Sequence, residues 1–105
     1  MSKVVPRPDA AYVMGYMGLD AAAYPETEVQ SALDTATAEI ESLCVVDPYE
    51  APLREATCRR AQAILTARGA PLGQLDGGAF GFSAMIRYDP EIGKMLAHYL
   101  RGNFA

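Results

Sequence analysis

The chain has 105 residues, half of them apolar, and a formal net charge of −4. That length fits one domain, which buries roughly two-thirds of its unfolded surface around a single core. The negative balance argues against a surface that grips nucleic acid, because phosphate binding runs on Lys and Arg. No apolar run approaches membrane-spanning length, and the opening Met-Ser-Lys-Val-Val-Pro has no signal-peptide stretch. The expectation is a soluble protein made in the cytoplasm, with no membrane partner.

In chain order, Asp9 is positioned to N-cap a short helix running to about Met17. Ala10, Val13, Met14 and Met17 share one face of it, while Gly15 weakens it and Gly18 ends it. Residues 19–24 read as a connector. A second helix starts around Pro25, with Thr27 and Gln30 spaced as a capping box and Glu26 and Glu28 at the positive end of the dipole. It runs to about Leu43, with Val29, Leu33, Ala36, Ile40 and Leu43 as its buried stripe and Asp34, Glu39 and Glu41 outside that stripe.

Pro48 and Pro52 break the chain after this helix, because a proline disfavours helix at the residue before it. Pro52 then opens a third helix that continues to Arg68 and stops at Gly69. Its apolar face carries Leu53, Ala56, Thr57, Ala61, Ile64 and Leu65, with Arg60 at the stripe's edge reaching outward along its stem. Residues 69–88 change character: five glycines punctuate Leu72, Leu75, Phe80 and Phe82, and Asp76-Gly77-Gly78 is a turn signal. The segment reads as a long Gly-rich loop, mobile or functional, or as a hairpin with a short strand over 82–88. Asp89-Pro90-Glu91 starts a last helix, with Ile92, Met95, Leu96, Tyr99 and Leu100 inward and Gly102 as its stop. The expected fold is thus mainly α: one domain over 1–105, a small bundle of about four helices, with a C-terminal tail over about 101–105.

Charge is unevenly distributed. Between Pro8 and Leu53 there are nine acidic residues and no basic one; from Arg54 onward there are seven basic residues and four acidic. Two readings follow: helix faces that attract each other within the chain, or complementary flanks that meet between neighbouring copies. For the second, the acidic flank is Asp34, Glu39 and Glu41, and the basic flank is Arg54, Arg59 and Arg68.

Catalytic chemistry is hard to place. Cys44 and Cys58 fall in helical segments where free thiols act as small core hydrophobes, and His98 is the lone histidine. Nothing brings Cys58 and His98 together as nucleophile and base. The glycine-rich segment lacks a Gly-Lys-Ser/Thr ending, so no phosphate cradle is expected. No metal spacing is present, and the expectation is a non-enzymatic protein without metal or cofactor.

The order of features resembles the small head–tail adaptor (head-completion or connector) proteins of long-tailed bacteriophages. The resemblance covers about residues 9–101 and follows five pieces: Gly-Tyr-Met-Gly-Leu closing the first helix; Val-Gln-Ser-Ala-Leu-Asp-Thr-Ala-Thr-Ala-Glu-Ile-Glu-Ser-Leu-Cys; Pro-Leu-Arg-Glu-Ala-Thr-Cys-Arg-Arg-Ala-Gln-Ala-Ile-Leu; Gly-Ala-Phe-Gly-Phe-Ser; and Asp-Pro-Glu-Ile-Gly-Lys-Met-Leu-Ala-His-Tyr-Leu-Arg. It implies a homo-oligomeric ring of about twelve subunits in the virion neck, between the portal protein and the stopper or tail-completion protein. DNA would pass through such a ring without sequence-specific binding. The resemblance further implies portal contacts from Leu100, Arg101, Asn103, Phe104 and Ala105. Loop contacts with a neighbour or the stopper would come from Leu75, Asp76, Phe80, Phe82 and Arg87. The alternative is a small helical regulatory or interaction protein, antitoxin-like and dimeric. A helix-turn-helix protein ranks below both, since the arginines of the third helix flank a core-like stripe and no recognition helix follows a short turn.

Overall fold

The structure, a computed structural model, describes residues 3–68 and 89–101, without the side chain of Asp20. The expectations for 69–88 and 102–105 lie outside the described residues, among them those for Leu75, Asp76, Phe80, Phe82, Arg87, Asn103, Phe104 and Ala105. What is described is a mainly α, small helical bundle. Its helices are α1 (Ala10–Met17), α2 (Glu26–Leu43), α3 (Ala51–Arg68) and α4 (Pro90–Leu96), with 3-10 turns at Gly18–Ala23 and Ala97–Tyr99.

Local chemistry accounts for most of the boundaries. The Asp9 carboxylate accepts from the Tyr12 amide and caps α1. Gly18 ends that helix at φ 66, a left-handed value that glycine adopts without the Cβ clash of other residues, and its amide donates to the Met14 carbonyl. Asp89 caps α4 by accepting from the Glu91 amide, and Pro90 fills the first helical position, where its missing N–H costs nothing.

Three boundary expectations are corrected. The Thr27–Gln30 capping box does not form: Pro25, extended at ψ 153, is itself the cap residue, and the helix begins at Glu26. Thr27 is therefore already inside the first turn, and Gln30 donates instead to Asp34, 2.8 Å away. The connector 19–24 is largely the 3-10 turn Gly18–Ala23. Finally, α4 stops at Leu96 and not near Gly102, because the chain after Tyr99 turns extended and pairs with the end of α2. There Val45 donates to the Tyr99 carbonyl at 2.7 Å and Arg101 to the Leu43 carbonyl at 2.8 Å. This cross-chain pairing satisfies groups that another helical turn would have satisfied locally. A matching bridge, Val4 with Glu50, ties the N-terminal segment to the start of α3.

The α2–α3 hairpin is the spine, and two apolar clusters lie along it. The first joins α1 (Ala10, Val13, Met17) to the front half of α2 (Val29, Ala32, Leu33, Ala36) and the back half of α3 (Cys58, Ala61, Ile64, Leu65). The second joins Ile40 and Leu43 to Cys44, Leu53 and Ala56, and is closed by Ile92 and Leu96 of α4. Ala32, Ala36, Ala56 and Ala61 are fully buried, so the small side chains lie where elements pack closely. Each fully buried Ile or Leu contributes about 1.5–3 kcal/mol of transfer free energy.

Between the clusters sits a charged pair that the hydrophobic pattern does not show. Glu39 follows Ala36 of the first cluster and precedes Ile40 of the second, and it faces Arg60 across the hairpin. Arg60 Nε donates to Glu39 Oε1 at 2.7 Å and Nη2 to Oε2 at 3.0 Å. The two side chains are 1% and 8% exposed. The expectation that Glu39 lies outside the stripe, and that Arg60 reaches outward, is corrected. Pairing supplies the counter-charge and hydrogen bonds that each group needs away from water.

Candidate interaction surfaces

The six residues assigned to complementary flanks divide sharply by what holds them. Glu39 is withdrawn from any flank, because both its oxygens are engaged by Arg60 inside the hairpin. Glu41 accepts from Arg7 at 2.6 Å, and the Arg7 guanidinium also lies over the Tyr49 ring at 4.7 Å. Arg59 clamps the α4 cap: its Nε and Nη2 reach the two Asp89 oxygens at 2.9 and 2.8 Å. This bonding to the carboxylate raises the Arg59 pKa above its ordinary value. Arg68 donates to Ser31 Oγ at 3.2 Å and approaches Glu28 at 3.5 Å. Much of the acidic-half, basic-half pattern is thus consumed within the chain.

Two of the six are left over. Arg54 stacks over the Tyr12 ring at 4.6 Å and forms no ion pair among the described residues. Asp34, exposed in the middle of α2, accepts from Gln30 and has no ion-pair partner among the described residues. Asp34 lines a cleft of about 210 Å³ together with Arg7, Gln30, Thr37, Glu41 and Tyr49.

Of the residues assigned to a portal contact, Leu100 and Arg101 are described. Leu100 forms the bridge with Cys44, and Arg101 Nε donates to the Cys44 carbonyl at 2.9 Å. Both fasten the C-terminal segment to the α2–α3 corner. Beside them a groove of about 300 Å³ is lined by Val45, Pro48, Glu50, His98, Tyr99 and Leu100. Tyr99 donates its hydroxyl to Glu50 at 2.9 Å across this corner.

The sequence reading missed a surface knuckle. Leu19 is 95% exposed. It sits over a groove of about 600 Å³ that includes Met17, Ala22, Ala23, Tyr24 and Gln62. Its signal was a leucine immediately after the helix-ending glycine, belonging to no apolar stripe. The Tyr12–Arg54 stack was also missed, because a connection from α1 to the first turn of α3 has no fixed spacing in sequence.

The groups with intrinsic reactivity are held quiet. Both cysteines are free and buried. Burial pushes the Cys58 thiol up to about 12 and the Cys44 thiol up to about 11, so neither presents a thiolate near neutrality. Tyr16, raised to about 12 by burial and by donating to Glu55, also keeps its proton. His98 is exposed, edge-on to the Tyr99 ring at 5.3 Å. Among the described residues no group of three or more His, Cys, Asp or Glu side chains is placed to hold a metal, and no helix is long and apolar enough to cross a membrane. Comparison with protein-family models, curated proteins and solved structures finds no match for this chain.

Proposed function

We propose that the protein is a structural, non-enzymatic subunit of a bacteriophage head-to-tail adaptor ring. It would join the portal to the stopper or tail-completion protein in the virion neck, act without a cofactor, and leave DNA free to pass. The ordered features along residues 9–101 support this reading, as does the helical bundle they build. The observation that carries it is the outer face of α2. Glu26, Glu28, Asp34 and Glu41 lie along an 18-residue helix that contains no lysine or arginine. Arg68 and Arg7 partly offset Glu28 and Glu41, but the helix itself carries only carboxylates and offers phosphate no cation, which suits a wall past which DNA slides without sticking.

The test is quantitative mass spectrometry of purified particles from the source phage, comparing this chain with the portal protein. A near-equal copy number, about a dozen of each, is the expected result. Absence of the chain from intact particles would overturn the proposal in favour of a small regulatory protein acting as a dimer.

A further inference from the structure

We infer that neighbouring copies of this chain meet through the Tyr12–Arg54 stack of one subunit and the Asp34 cleft of the next. The inference rests on the ring reading and names the surface that builds the ring. Its starting point is which charges the fold leaves unspent. Glu39, Glu41, Glu28, Asp89 and Glu91 each have a basic partner within the chain. Arg54 has none among the described residues, although its guanidinium is held over the Tyr12 ring, which is itself 42% exposed. A stacked guanidinium keeps its in-plane donors free while losing the freedom of its long stem, so a carboxylate arriving from outside meets a preorganised fork. Arginine and tyrosine are also the residue types that dominate the energetic centres of protein interfaces.

The complementary group is on the same chain. Asp34 stands on a cleft wall with Thr37 and Glu41, on a helix without a cation of its own; the one cation lining the cleft, Arg7, is engaged by Glu41 and by the Tyr49 ring, which leaves the Asp34 carboxylate to an incoming group. The cleft volume of about 210 Å³ admits a guanidinium together with part of its stem. The two patches are different surfaces, one on α1 and α3 and the other on α2. Made once between each pair of copies, such a contact is heterologous, the kind that propagates from subunit to subunit and closes into a ring; made twice about a two-fold axis it would close a dimer instead. Charge of opposite sign sets the register and rejects a like-charged approach.

The experiment is a charge swap read in two assays. Full-length chains carrying Arg54→Glu, Asp34→Arg, or both, are introduced into the source phage, and copies per particle are counted. The same chains are compared by sedimentation velocity over a concentration series at low salt. Each single reversal is expected to cut incorporation and self-association at least about tenfold, and the double swap to restore both. All variants should melt close to the parent chain, since the altered groups are on the surface. If the parent chain occupies particles and single reversals do so equally well, or the double swap fails to recover, the contact is refuted while the ring stands. If the parent chain is absent from particles, the ring reading falls; self-association insensitive to these charges, or none at all, then refutes the contact too.

Discussion

Removing one member of the Glu39–Arg60 pair tests the packing argument directly. In Glu39→Ala the guanidinium of Arg60 stays in a site where its side chain is 1% exposed, but loses two hydrogen bonds of 2.7 and 3.0 Å. Breaking a buried pair from one side costs about 3–5 kcal/mol, because the remaining group loses its counter-charge. A domain of this size has about 5–15 kcal/mol of stability in total. At about 4–8 °C per kcal/mol, the melting temperature should fall by at least about 12 °C. The double replacement Glu39→Leu with Arg60→Met removes both charges and keeps most of the volume. It should recover most or all of the loss, since a well-packed apolar pair often equals or exceeds a buried ion pair. The assay is urea unfolding followed by far-ultraviolet circular dichroism, with both singles and the double compared at one pH. A loss under about 1 kcal/mol for Glu39→Ala, the value of an exposed pair, would refute the reasoning. So would a double variant no better than the singles.

Raising the pH should destabilise the fold in a defined window. Cys58, Cys44 and Tyr16 keep their protons in the folded chain up to about 12, 11 and 12, against ordinary values of 9.0, 9.0 and 10.0. Their contribution is therefore intact below about pH 9 and is lost as pH rises towards 12; urea midpoints at pH 8 and 10.5 measure it, and an unchanged pH slope in Cys58→Ala would contradict the assignment. Asp89→Ala removes both the α4 cap and the partner of Arg59, and should cost about 1–2 kcal/mol while raising amide exchange over residues 90–101; unchanged exchange there would show that the clamp is idle. Ala36→Leu forces a larger side chain into a position with no exposed surface and should cost at least about 1–3 kcal/mol by thermal melting. Leu19→Ser should leave stability within about 0.5 kcal/mol, because the side chain is almost wholly in solvent; a large drop would mean that the knuckle packs against its own chain.

The sequence by itself determined the local architecture. Asp9, Gly18, Asp89 and Pro90 act through their own backbone limits and nearest amides, so their roles survive whatever the chain packs against. The stripes of α2 and α3 are legible for the same reason: helical periodicity places Val29, Leu33, Ala36, Ile40 and Leu43 on one side before any partner is known. Tertiary structure decided the fate of the charges. Whether Glu39 faces water or Arg60, 21 residues away, depends on how α2 and α3 align, and no local pattern encodes that alignment. The early end of α4 has the same origin, since the backbone groups that stop it belong to Leu43 and Val45. The candidate surface emerged only by subtraction. Of the six charges read as flanks, the fold matched Glu39, Glu41, Arg59 and Arg68 to partners of its own, and among the described residues Arg54 and Asp34 were the two it left without an ion pair.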